Sequence, residues 1–261
     1  MSECGIIKKE FQKDGVGVME FVPDTRNDID SWKEVQLVYN SALKEIGTKL
    51  EILNDEFQHV HQYNPIEHIK ARLKSPESIV KKLKKHGYES TIENMVKYVN
   101  DIAGVRVICS FTSDIYRIAE MIINQSDIKV CSVKDYILNP KPSGYKSYHL
   151  IVTVPIFLSD RIIDAKVEIQ IRTVAMDFWA SLEHKIYYKF EGNAPAHIKD
   201  GLVECATMVS ELDARMLSLN EEVRDLIACK QAEETKKNNE KKKISDADVD
   251  VMEDIDEGTD A

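Results

Sequence analysis

In Val167-Glu168-Ile169-Gln170-Ile171-Arg172-Thr173 the side chains alternate strictly between branched aliphatic and polar or charged. A period of two is that of a β-strand whose faces meet different surroundings. Val167, Ile169 and Ile171 belong against a core, while Glu168, Gln170 and Arg172 form a row on the opposite face. Covering that row with protein is costly, because each group needs a partner once water is excluded. It is therefore either a solvated outer sheet face or the floor of a polar cleft.

The flanking segments frame this strand. From Asp28 to His61 apolar residues from Trp32 and Val35 to Leu53 and Phe57 recur at steps of three and four, the stripe of a long helix capped by Asp28 or Asp30. Residues 1–27 lack a sustained period and read as an irregular arm. Strands are expected at Gly104 to Phe111, Lys129 to Leu138, Leu150 to Pro155 and Ile162 to Thr173, with helices from near Ser75, from Ser113 to Asn124 and from Val174 to Phe190. In the last of these, Phe178, Trp179, Leu182 and Ile186 are expected to pack on the sheet. From Ile198 through Leu202, Cys205, Val209, Leu212, Met216, Leu219, Val223 and Leu226 runs a heptad-like seam, suited to the N-terminal helix or to another subunit. Residues 231–261 turn to Lys, Glu and Asn and then to acid, and read as a disordered tail behind a single domain at 28–230.

The formal net charge of −10 counts against general nucleic-acid binding, but much of it lies at Asp246 to Asp260, which leaves room for a local basic cleft. No apolar run reaches the roughly 18 residues of a membrane helix and no signal-like segment opens the chain, so the expected location is the cytoplasm. Five cysteines without metal-ligand spacing argue for reduced thiols and against zinc.

Four polar segments carry candidate chemistry. Arg72, Lys74, Ser78 and Lys82 surround a helix start, Ser78 and Lys82 on one face, and together suit a triphosphate through charge-assisted hydrogen bonds. Asp101, just before a strand, either caps a turn or binds a metal. The loop Asn139-Pro140-Lys141-Pro142-Ser143-Gly144 and the following Tyr145, Lys146 and His149 offer cations, an aromatic face and an imidazole, suited to a nucleotide or, more blandly, to a hairpin with an exposed Tyr. Asp177 lies near a helix start, where it favours the dipole or reaches the cleft. Walker, GxGxxG, HExxH and GxSxG patterns are absent.

In order, Arg72-Leu73-Lys74 with Ser78-Ile79, Asp101-Ile102-Ala103-Gly104-Val105-Arg106, Ser143-Gly144-Tyr145-Lys146-Ser147-Tyr148-His149 and Glu168-Ile169-Gln170-Ile171-Arg172 resemble the successive motifs of the RelA/SpoT synthetase domain. The resemblance spans about Pro65 to Tyr188, and Met176-Asp177-Phe178-Trp179-Ala180 with the flanking helices is similar to the stand-alone small alarmone synthetases of the RelQ type. It implies an α/β fold: a mixed β-sheet, nucleotidyltransferase-like domain between long N- and C-terminal helices. It also implies transfer of pyrophosphate from ATP to the 3′-oxygen of GTP or GDP, giving (p)ppGpp and AMP in stringent-response signalling, without a hydrolase domain.

On the matching positions, the resemblance makes Asp101 and Glu168 the Mg²⁺ ligands and Glu168 the base for the 3′-hydroxyl. Arg72 and Arg106 flank adenine, and Lys74, Ser78 and Lys82 meet the ATP phosphates. Tyr145 stacks on guanine; Lys141, Lys146 and His149, with Lys134 as a further candidate, face the acceptor phosphates; Gln170 and Arg172 order the floor. Asp177 stands where RelQ-type relatives commonly have an Asn that reads the guanine edge, and His68 where they tend to have an aromatic residue of an alarmone cleft between subunits. A homotetramer, regulated by alarmone or single-stranded RNA, is the implied assembly. Two rivals share these residues: a catalytically silent nucleotide- or RNA-binding regulator, and a pyrophosphokinase with another nucleotide acceptor.

Overall fold

The structure is a computed structural model that describes residues 19–20, 28–60, 63–189 and 194–253. In chain order these form β1 (Met19–Glu20), α1 (Asp28–His59), β2 (Ile66–Leu73), α2 (Pro76–Lys85), α3 (Ile92–Tyr98), β3 (Ala103–Cys109), α4 (Thr112–Ile123), β4 (Lys129–Asp135), β5 (Tyr148–Phe157), β6 (Ile162–Thr173), α5 (Val174–Lys189) and α6 (Ala196–Glu253). The chain divides into two compact units, Met1–Asp213 and Ala214–Ala261, with the boundary inside α6.

Five strands of the first unit follow the order β2-β3-β6-β5-β4, and β1 pairs with β6 off this path. β3 and β6 run parallel at the centre, and every other neighbour on the path is antiparallel, so the sheet is mixed as expected. Alternation divides its faces. Val105 and Val107 of β3, Ile169 and Ile171 of β6 and Leu150 and Val152 of β5 are at most 1% exposed, and they share one core with Val35, Val38, Ala42, Ile46 and Leu50 of α1. Each such aliphatic side chain contributes roughly 1.5–3 kcal/mol on burial, which fixes the register against a one-residue slip.

On the opposite face the register builds a polar row. Lys70 stands opposite Arg106, Arg106 opposite Gln170, Gln170 opposite His149 and His149 opposite Lys134, so one line of side chains crosses all five strands. One step along, Arg72, Gly104 and Glu168 form a second line. The Glu168 strand face is thus the floor of a cleft.

Several boundaries differ from the sequence expectation. Ahead of the helix expected near Ser75 the chain forms a strand, β2, in which Ile69, Ala71 and Leu73 alternate with Lys70 and Arg72 and place both cations beside β3. In the arm at 1–27, Met19 and Glu20 pair in parallel with Ile163 and Asp164; the rest lies outside the described residues. β4 stops at Asp135, whose Oδ1 accepts from the amides of Ile137 and Leu138 and turns the chain out of the sheet. On α5 only Trp179 of the expected apolar set is buried; Phe178 and Leu182 are exposed, and Trp179 packs with Ala180, Leu202 and Ala206 rather than on the sheet. The early part of the α6 seam supplies that packing through Ile198, Leu202 and Val209. α6 runs on through 231–253, within the segment whose composition suggests a tail. No helix among the described residues is long and apolar enough to cross a membrane.

Candidate active site

The two polar lines bound a cavity of about 370 Å³ whose lining includes Lys70, Arg72, Asp101, Arg106, Glu168 and Gln170. Gly104 keeps it open: a Cβ there would meet only the Arg72 carbonyl oxygen at 3.8 Å, so a larger side chain would fill the space between Arg72 and Glu168. One side of the cavity is cationic, and two carboxylates serve its floor.

Asp101 sits just before β3, where Lys74 N donates to Ile102 O at 2.8 Å and ties the end of β2 to this turn. Ser75 then caps α2, accepting from Ser78 N at 3.3 Å, with Pro76 at the helix start. Lys82, two turns on, and Lys74 both reach Asp101, each at 2.8 Å. Burial alone would raise the Asp101 carboxyl pKa, but these two ammonium groups win and hold it below the usual carboxylate range. Ser78 Oγ lies 3.0 Å from Ser75 Oγ at the same helix end.

Across the cleft Arg172 is only 4% exposed and spends its donors on four hydrogen bonds. Nε donates to Ser147 Oγ at 3.3 Å, Nη1 to Asp177 Oδ1 at 3.2 Å, and Nη2 to Gln170 Oε1 at 2.9 Å and to the Tyr145 hydroxyl; its guanidinium carbon also lies 4.9 Å from the Tyr145 ring centre. Glu168 is held on both oxygens, with His149 Nδ1 3.3 Å from Oε1 and Gln170 Nε2 2.7 Å from Oε2. Burial pushes the Glu168 pKa up and the nearby Asp101 adds to that, but His149 and Gln170 prevail and keep it low. Ionised carboxylates suited to a metal or to accepting a proton therefore stand on both sides of the cavity.

The 139–144 loop delivers the aromatic wall. Gly144, at φ +87°, takes a left-handed conformation, and a Cβ on it would come within 2.5 Å of Ala206 Cβ, so this turn requires glycine. Gly144 N donates to Lys141 O at 2.8 Å and Lys141 N to Tyr145 O at 3.2 Å. That turn sets the Lys141 ammonium over two rings, 4.4 Å from the centre of Tyr145 and 4.7 Å from that of Tyr136.

Residues 71–193 match the family described as the region found in RelA / SpoT proteins. The GTP pyrophosphokinase YwaC of Bacillus subtilis is 48% identical over 200 residues, which is 77% of this chain and 95% of that one. The chain belongs to the RelA/SpoT family, among the small alarmone synthetases. A second Bacillus subtilis relative, the GTP pyrophosphokinase YjbM, is 35% identical over 76% of this chain and 92% of its own. Among solved structures, the small alarmone synthetase 2 of Bacillus subtilis superposes with a TM-score of 0.67 at 48% identity, covering 73% of this chain and 98% of that one. The small alarmone synthetase 1 of the same organism, solved bound to its product pppGpp, gives 0.70 at 34% identity over 74% and 98%.

In this synthetase the structure gathers Arg72, Asp101, Arg106, Glu168 and Gln170 at the cavity, with Lys74 and Lys82 on Asp101 and Tyr145, His149, Arg172 and Asp177 in one hydrogen-bonded group behind Glu168. Lys134 is exposed at the end of the polar row. Lys146 is near enough to Asp213 for its charge to lower the Asp213 pKa. Sequence reasoning missed Lys70, Tyr136 and Asp213. Lys70 was legible from the alternation with Arg72. Tyr136, edge-on to His149 at 5.1 Å between ring centres, and Asp213, which accepts from Thr173 Oγ1 at 2.7 Å, belong to tertiary contacts that no local pattern announces.

Proposed function

We propose that this synthetase is a GTP pyrophosphokinase that transfers the β,γ-pyrophosphate of ATP to the 3′-hydroxyl of GTP or GDP, giving (p)ppGpp and AMP. The observation that carries this is the pairing of a cationic wall with two ionised carboxylates in one cavity, on a chain 48% identical to a GTP pyrophosphokinase over 95% of its length.

Adenine lies between the planar guanidinium groups of Arg72 and Arg106, which occupy adjacent strands. Lys74 and Lys82 exchange Asp101 for the ATP phosphates, with Ser78 at the start of α2 assisting. The exchange is near neutral in charge, since the lysines leave one anion for another, and it frees both Asp101 oxygens. Asp101 and Glu168 would then hold Mg²⁺ through the hard carboxylate oxygens it prefers, and the ion would there supply charge to offset that of the transferring group.

Glu168 takes the proton of the 3′-hydroxyl as that oxygen bonds to the β-phosphorus and the bond to the α,β-bridging oxygen breaks, so AMP leaves with the bridging oxygen. Guanine stacks on Tyr145, with Lys141, Lys146 and Lys134 serving the acceptor phosphates. Asp177, whose Oδ1 holds two arginines, reads the guanine edge through its other oxygen. The assembly we propose is a cytoplasmic homotetramer, responsive to alarmone or single-stranded RNA, in stringent-response signalling; light scattering that gives a monomer would remove the tetramer.

The test is incubation with Mg²⁺, ATP labelled at the β-phosphate and GTP, GDP or GMP in turn, with Glu168→Gln beside it. Labelled guanosine product plus AMP, lost in the variant, is expected. Transfer to no guanine nucleotide would leave a binding module or another acceptor.

A further inference from the structure

The contacts behind Glu168 take their direction from their two ends, a guanidinium that can only donate and an ionised carboxylate that can only accept. Arg172 can only donate, so at its contact with Tyr145 the hydroxyl oxygen accepts. At the other end His149 Nδ1 faces the Glu168 carboxylate, which only accepts, at 3.3 Å, so the ring proton sits on Nδ1. In that tautomer Nε2 accepts from the Tyr145 hydroxyl at 2.9 Å. The second branch runs the same way: Arg172 donates to Gln170 Oε1 at 2.9 Å, which turns the Gln170 amide so that its Nε2 donates to Glu168 Oε2 at 2.7 Å. Both branches start on one buried guanidinium and end on the two oxygens of one carboxylate.

We propose that Tyr145 and His149 are positioning residues for the base: a one-way relay from Arg172 through the Tyr145 hydroxyl and the His149 imidazole fixes the orientation of Glu168. The inference rests on Glu168 being the base, as argued above. It reassigns His149, for which the family resemblance implies a place at the acceptor phosphates: with Nε2 on Tyr145, Nδ1 on Glu168 and 7% exposure, its ring has no donor left for a phosphate. The tyrosine on which the acceptor base stacks thereby also orders the carboxylate that deprotonates the acceptor, so occupancy and chemistry are joined through one side chain. Tyr136, edge-on to both the Tyr145 and His149 rings, holds the pair in place.

The relay makes a chemical distinction that a phosphate-binding histidine does not. An asparagine amide can reproduce the position of Nδ1, a glutamine amide that of Nε2, so His149→Asn keeps the donor to Glu168 and His149→Gln does not. Tyr145→Phe keeps the stacking ring and removes a single oxygen. Steady-state kinetics with ATP, Mg²⁺ and GTP should show Tyr145→Phe and His149→Gln losing about 10- to 100-fold in kcat, the range for outer partners of a functional group, with the KM for GTP within about twofold. His149→Asn should recover most of that loss. A higher KM for GTP at unchanged kcat, or His149→Gln outperforming His149→Asn, overturns the relay. Thermal melts accompany each variant, and Tyr145→Phe, which opens no cavity, keeps the test decisive if a His149 variant misfolds. Glu168→Gln separates the two levels: should it transfer pyrophosphate at the wild-type rate, the assignment of the base itself falls, whereas its loss beside unaffected Tyr145→Phe and His149→Gln rejects the relay alone.

Discussion

Arg106 and Arg172, on neighbouring strands, meet at a single oxygen: Oδ1 of Asp177 accepts from Nη1 of the first at 3.0 Å and Nη1 of the second at 3.2 Å. One carboxylate thus offsets the repulsion between two like charges, one assigned to adenine and the other to the floor under the acceptor. Asp177→Ala should therefore raise the KM for ATP and for the guanine nucleotide together and weaken the preference for guanine over adenine acceptors. Removing one partner from a largely buried charge group costs roughly 3–5 kcal/mol, so the melting temperature should fall as well. Initial-rate measurements with each substrate varied in turn check this; a change confined to the acceptor KM would show that Asp177 acts on the guanine edge alone.

Asp101 is bound by Lys74 and Lys82 at 2.8 Å each, and in the proposed exchange both lysines release it to hold phosphate. Asp101→Asn should bind a nonhydrolysable ATP analogue in EDTA at least as tightly as the wild type, because two ion pairs no longer compete and one negative charge is gone. Turnover with Mg²⁺ should fall by about 10²-fold or more, as for loss of a group that stabilises the transferring charge. Calorimetric titration reads the first effect and the product assay the second; weaker metal-free binding in the variant would argue against the exchange.

Much of this site was readable because its chemistry lies on strands. Glu168, Gln170 and Arg172 share a face by alternation, and the Arg72, Asp101 and Tyr145 segments are each dense in charge or turn residues. What the sequence could not carry was register. Nothing local to Lys70, Gln170 or Lys134 says that they stand in one row, since that depends on β3 and β6 lying side by side despite the strands between them in the chain. The helix α5 misled for a related reason: Phe178 and Trp179 are equally apolar, but only Trp179 faces the first turns of α6, with its indole N–H on Leu202 O at 3.0 Å.

Gly144 combines a positive φ with a neighbour that forbids a Cβ. Gly144→Ala should cost about 1–3 kcal/mol in strain or shift the loop, and the loop carries Lys141 and Tyr145 but no group assigned to ATP. The expected result is a raised KM for GTP, a nearly unchanged KM for ATP and a lower melting temperature. Equal effects on both substrates would mean that the loop acts on the whole cleft.

Asp213 ties α6 to the end of β6, accepting from Thr173 Oγ1 at 2.7 Å and from Thr112 Oγ1 at 3.5 Å, while Thr173 Oγ1 in turn accepts from Met176 N at 3.1 Å at the start of α5. Burial raises the Asp213 carboxyl pKa, and the two threonines and Lys146 only partly offset it. In the folded chain the carboxyl therefore keeps its proton to higher pH than in the unfolded chain. Where the folded state binds more protons, stability falls as pH rises, so this group's penalty is absent below the ordinary Asp pKa of about 3.9 and grows as pH climbs through the folded value. Asp213→Asn retains an acceptor for Thr173 and has no charge to bury. Its melting temperature relative to wild type should increase between about pH 4 and pH 7 in a series of thermal melts, and a difference that stays constant across that range would show that Asp213 is ionised without cost.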